Sequence, residues 1–136
     1  MNIPRMLLAI AITLVLFLPG EVPGSGVQQQ ADRKAVFEEI GQFNDGGMAV
    51  TVLVSANLAY VCDKLQGLEI LDITDPSLPK LLGTFKGGGS TVGVCLIDDY
   101  ALVINWEQGL EAIDVRDPSN PVRIGSFFDG GRPNGL

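Results

Sequence analysis

The phrase GLEILDITDPSLPKLLGTF, Gly67 to Phe85, returns as GLEAIDVRDPSNPVRIGSF, Gly109 to Phe127, after a step of 42 residues. A period of roughly 20–50 residues constrains a fold more than any single motif, because each unit leans on its neighbours for a core. The step extends outward. EIGQF at Glu39–Phe43 matches LLGTF at Leu81–Phe85 and RIGSF at Arg123–Phe127. Gly41, Gly83 and Gly125 are therefore equivalent, as are Phe43, Phe85 and Phe127, each followed within a few residues by a Gly-Gly pair. Two complete units and the tail of an earlier one are present.

Residue types decide between a helical and a strand repeat. AVTVLVS and LAYVC are short Val-rich runs separated only by Ala56-Asn57, which predicts a tight hairpin. VGVCLI, Asp98-Asp99 and YALVI repeat that pattern. A third strand follows in LEILDI and LEAIDV, then TDPSLP and RDPSNP. Asp before Pro closes a turn onto its own backbone, and the second Pro starts an edge-like strand. The fourth strand ends in LLGTF or RIGSF. Four antiparallel strands in about 42 residues make a β-propeller blade, so the fold class read from sequence is all-β. The first two strands of each unit are apolar on both faces and are expected to be covered by neighbouring blades; the third and fourth carry charges and are expected to be wet.

GLEILDITDP and GLEAIDVRDP, preceded by LAYV and YALV, resemble the LVIVD repeat of bacterial and archaeal cell-surface proteins. The resemblance covers roughly residues 36 to 136. It implies a propeller-like fold and a surface location, with no settled activity. In the loop before Gly-Leu, where the family pattern is Gly-rich and acidic, this chain has Asp63-Lys64-Leu65-Gln66 and Asn105-Trp106-Glu107-Gln108. That departure argues against a cation in the loop.

Residues 1–26 hold Arg5, an apolar run from Met6 to Leu18 and the helix-breaking PGEVPGSG. The run is too short for a span of about 20 residues and suits a signal-peptide core, with a short retained anchor as the alternative. Either reading makes the protein secreted or held at the cell surface, with membrane contact only through this segment. Residues 27–136 form the repeat region, in units of about 50–91 and 92–133. Propellers need about four to eight blades, so two units predict an incomplete propeller: part of a longer repeat protein, or one that self-associates to cover its open blade faces.

A net charge of −7 with scattered basic residues excludes a nucleic-acid surface, which needs a clustered positive stripe. The chain contains no His, which removes Ser-His-Asp and Cys-His catalysis and every His-ligated metal site. No catalytic, metal or cofactor residue is expected. Glu69 with Asp72 and Glu111 with Asp114 recur in adjacent units and could form a Ca²⁺-holding ring, but repeated positions are read as serving the unit. Asp75 and Asp117 are turn residues. The Gly-Gly stretches lack the Lys and strand-to-helix context of a phosphate loop. Cys62 and Cys95 could pair in an exported protein, or serve as small buried residues.

Positions that differ between the units are the better functional candidates. Asn105-Trp106-Glu107 stands where Asp63-Lys64-Leu65 stands one unit earlier, and Trp106 is the sole Trp. An aromatic and polar loop on a rigid scaffold is a ligand-binding feature; packing of Trp106 against the next blade is the alternative. The function expected is non-catalytic binding of a protein or glycan partner. The alternative is part of an exported enzyme whose active site lies in other blades.

Overall fold

The computed structural model describes residues 38–131 and residue 133; the N-terminal apolar run lies outside them. Among the described residues eight strands build two four-stranded antiparallel sheets with strand orders β1-β2-β3-β4 and β5-β6-β7-β8. The first comprises β1 (Ala49–Ser55), β2 (Leu58–Asp63), β3 (Gly67–Asp72) and β4 (Lys80–Phe85). The second comprises β5 (Thr91–Ile97), β6 (Tyr100–Asn105), β7 (Gly109–Asp114) and β8 (Val122–Phe127). Both meanders are propeller-like blades, and the two do not close a ring. Among the described residues no helix is long and apolar enough to cross a membrane.

The repeat holds at the level of register. Val61 opposes Glu69, and Val103 opposes Glu111. Pairing shifts between Ala49 and Thr51 and again between Thr91 and Gly93, then between Ile70 and Leu71 and again between Ala112 and Ile113. Irregularities that recur at matching positions belong to the design of the unit. The two-residue turns require a left-handed first residue, at φ 51° for both Ala56 and Asp98. Asp tolerates that conformation better than Ala does.

One face of the first sheet packs on the opposite face of the second. Tyr60, Cys62, Leu68 and Ile70 meet Val94, Ala101, Val103, Ile113 and Val115 in one core, and apolar burial here is the main force joining the blades. Thr51 Oγ1 adds a 2.8 Å hydrogen bond to the Val92 carbonyl across the inner strands. Facing the other way, Ala59, Val61 and Leu71 are covered by Phe43, Ala49 and Ile73. The 39–43 segment thus lies on the first blade as β4 lies on the second. A Cβ on Gly41 would strike the Pro76 carbonyl, and a Cβ on Gly83 the Pro118 carbonyl, whereas at Gly125 it would meet nothing.

Two expectations about solvation need correction. The first strand was expected to be covered on both faces, but Val50, Val52 and Val54 are exposed, because no inner strands of a preceding blade lie against them among the described residues. The third strand was expected to be wet, yet β3 is buried through all but its last residue. It runs third of four, between β2 and β4, and its Glu69 side chain is only 2% exposed.

Both cysteines are free thiols. Cys62 points into the core between the sheets. Cys95 follows Val94, which shares that core, so the alternation of a strand aims Cys95 at the far face of the second sheet.

Candidate functional site

The connections sort to two ends of the sheets, and the ends differ in kind. At one end lie the β1–β2 and β5–β6 turns with the Asp-Pro loops, where Ile73 N–H donates to the Asn57 carbonyl and Val115 N–H to the Asp99 carbonyl. The Asp-Pro turns of this end repeat in the two blades. Asp75 Oδ1 accepts from the Ser77 N–H and hydroxyl at 3.0 and 2.6 Å, and Asp117 Oδ1 accepts from Ser119 at the same distances. The serine hydrogen bonds hold both carboxyls below the usual carboxylate range. Asp72 and Asp114 also stand at this end of β3 and β7, engaged by Thr74 and Arg116. They do not join Glu69 and Glu111 in a ring of carboxylates.

The opposite end is where the blades diverge. Here the β2–β3 and β6–β7 loops meet the segments that enter each blade, tied by Lys64 N–H to the Met48 carbonyl and Trp106 N–H to the Ser90 carbonyl, both at 3.0 Å. Asp63 and Asn105 each fold their loop by the same device. Asp63 Oδ1 accepts from Leu65 and Gln66 N–H at 2.6 and 2.8 Å, and Asn105 Oδ1 accepts from Glu107 and Gln108 N–H at 3.0 and 3.1 Å. Each thereby satisfies the backbone of a tight loop.

The second atom of each side chain differs, and the surroundings differ with it. Asn105 Nδ2 donates to Glu111 Oε2 at 3.2 Å, and Arg123 Nη1 pairs with Glu111 Oε1 at 3.2 Å. Glu111 is fully buried, so these donors supply what burial of a carboxylate demands. In the first blade Leu81 takes the place of Arg123, Asp63 the place of Asn105, and Asp45 the place of Gly87. Asp45, Asp63 and Glu69 consequently bring three carboxylate oxygens within 4.8 Å of one another. Burial, the Asp45 side chain, and the charges of Asp45 and Asp63 push Glu69 up to about 8, with Lys86 opposing. Burial also acts on Asp45, but the Gly47 N–H, the Glu69 side chain and Lys86 outweigh it and bring Asp45 down. One proton shared between the two carboxyls fits both directions.

Asn105, Trp106 and Glu107, the ligand candidates from sequence, occupy three different situations. Asn105 is fully buried and structural. Glu107 is exposed, but its carboxylate accepts from the Ser90 N–H at 2.6 Å and fastens the inter-blade linker. Trp106 exposes 37% of its surface, with Lys64 Nζ of the preceding blade 5.1 Å from its ring centroid. Lys64 and Trp106 are equivalent positions, so this cation–π contact joins the variable loops of successive blades. Beside it, Lys64, Leu65, Gln66 and the 86–90 linker line a groove of about 310 Å³. Sequence reasoning missed Asp45 and Arg123 as members of this end and grouped Glu69 with Asp72; the residues that differ one period apart, Asp45 against Gly87 and Leu81 against Arg123, were the available signal.

No curated protein and no solved structure matches the chain. The LVIVD repeat family matches twice, at residues 46–86 and 88–129, each match enclosing one four-stranded sheet and its variable loop, and the chain belongs to that family.

Proposed function

We propose that this protein is a non-catalytic binding scaffold, exported to the cell surface, that recognises a protein or glycan partner through the variable end of its blades. The observation that carries the reading is the contrast between the two ends. One repeats the Asp-Ser hydrogen bonds of its Asp-Pro turn in both blades, while the other sets an exposed Trp106, the Lys64 ammonium and an open groove side by side. Aromatic faces paired with charged and polar groups on rigid loops suit sugar rings and peptide side chains. The absence of His from the sequence and the lack of a unique nucleophile–base pair among its motifs favour binding over catalysis. Export rests on the Met6–Leu18 apolar run behind Arg5.

The test is binding of the purified chain to arrays of cell-surface polysaccharides and peptides, repeated with Trp106→Ala, Lys64→Ala and, at the opposite end, Asp75→Ala. The reading expects at least one ligand whose binding falls tenfold or more in the first two variants, as for truncated aromatic or charged anchors, and is unchanged in the third. Equal binding by all three folded variants would defeat it.

A further inference from the structure

We infer that the free face of the second blade is an interface for the first blade of another copy of this chain, with β8 of one copy taking the seat that residues 39–43 hold on the other. The two blades meet through opposite faces: Tyr60, Leu68 and Ile70 from the first and Val94, Val103 and Ile113 from the second close a single core. Two equivalent blades joined in this way leave uncovered the receiving face of the first and the donating face of the second. The open faces are therefore the same two kinds of surface that already meet inside the chain.

The residues on them match that assignment. Leu102, Leu110, Ala112 and Phe127 stand one period after Tyr60, Leu68, Ile70 and Phe85. In the first blade these positions pack into the shared core, whereas in the second the first three are half-buried and Phe127 is 68% exposed. On the receiving side, Val52, Ala59, Val61, Leu71 and Ile73 stand one period before the five buried residues with which the second blade accepts the first. All are apolar, and Val52 lies open between Val50 and Val54. Exposed apolar surface gathered on one face marks an interaction site.

The part of the receiving face that is covered shows what fits it. EIGQF at Glu39–Phe43 lies on Ala59, Val61 and Leu71 through Phe43, and Gly41 lies against the Pro76 carbonyl as Gly83 of β4 lies against the Pro118 carbonyl. The seat thus accepts the fourth strand of a repeat unit. β8, ending in RIGSF, is such a strand, and its Gly125 faces open space. Exchanging 39–43 for β8 keeps the strand's contacts and adds burial of Val50, Val52 and Val54 against the second blade's free face, which is the net gain that drives association. The interface is head-to-tail, so it propagates until it closes on itself. With two blades in each copy, a propeller ring takes about two to four copies.

Sedimentation velocity of the full chain across a concentration series tests the interface. Assemblies of about two to four copies are expected to grow in as concentration rises, and Val52→Lys or Phe127→Lys, each at an exposed position, is expected to leave monomer. An equimolar mixture of the two variants should recover a dimer, because each keeps the face that the other has lost. A face that pairs with itself would instead leave one variant assembled alone, with nothing gained on mixing. Should Val52→Lys impair folding, Val54→Lys at the more exposed neighbouring position takes its place. Gly41→Ala, which drives 39–43 off the Pro76 carbonyl and leaves β8 untouched, is expected to strengthen association about tenfold through overpacking of the present occupant. A wild type that stays monomeric at about 100 µM, well above the micromolar limit of interfaces of standard size, would overturn the inference. So would folded variants that remain monomeric when mixed, or an association that Gly41→Ala leaves unchanged or weakens.

Discussion

The Asn105 amide nitrogen stands 3.2 Å from a Glu111 carboxylate oxygen, in the place where the preceding blade turns the Asp63 carboxylate toward Glu69. A single exchange of nitrogen for oxygen converts a buried hydrogen bond into a contact between acids. Asn105→Asp is therefore expected to import the first blade's conflict into the second, leaving Glu111 with Arg123 alone. Urea unfolding at neutral pH should register a loss of about 1–3 kcal/mol, the cost of stranding a buried polar group. No loss would mean that Arg123 alone satisfies Glu111.

The raised Glu69 fixes the sign of one pH effect. Its folded value of about 8 lies above the ordinary 4.5, so the folded chain holds a proton that the unfolded chain releases. That contribution is fully present below about 4.5 and is lost as the pH rises through 8. Asp45, Asp63 and Lys86 are the charged groups that act on it. Stability between pH 5 and 8 (roughly the span in which a shifted carboxyl acts) should decline in the wild type and flatten in Glu69→Gln. On the acid side Asp72, Asp75, Asp114 and Asp117 act oppositely. Their hydrogen bonds depress them below 3.8, so their contribution is lost as the pH falls through their folded values.

Three equivalent glycines provide a test of blade stacking. Gly83 lies against the Pro118 carbonyl, with no room for a Cβ, whereas Gly125 faces open space. Gly83→Ala should cost about 1–3 kcal/mol through overpacking, while Gly125→Ala should be neutral in the single chain. If copies of the chain associate through the second sheet to cover its open face, Gly125→Ala should weaken that association, which sedimentation velocity would detect.

The two thiols should react unequally. Burial pushes Cys62 up to about 12 and leaves it no exposed surface, while Cys95 is half-buried on the far face of its sheet. A chromogenic disulfide reagent should modify Cys95 in the folded chain and reach Cys62 only on unfolding, because the thiolate is the reactive form. Equal rates would contradict the packing of Cys62 between the blades.

Strand order and turn positions were legible because the 42-residue step aligned apolar runs, two-residue turns and Asp-Pro pairs without ambiguity. Solvation of individual strands was less so. Glu69 on a strand reads as a wet position, and only the register places it beside β2 and behind the Asp63 loop. The Lys64–Trp106 contact was half legible: Trp106 stood out as unique, but its partner is the same position one blade earlier. The Asp45, Asp63, Glu69 cluster draws on three separate segments, and what exposed it is substitution between the units, at Gly87, Asn105 and Arg123.

The central claim is that one end of these blades is scaffold and the other recognises a ligand. Amide NMR of the labelled chain, titrated with a polysaccharide or peptide selected from the arrays, tests it most directly. Shifts confined to Lys64–Gly67, Lys86–Ser90 and Trp106–Gln108 are the result the account predicts. Shifts centred on the Asp75–Pro79 and Asp117–Pro121 loops instead would contradict it.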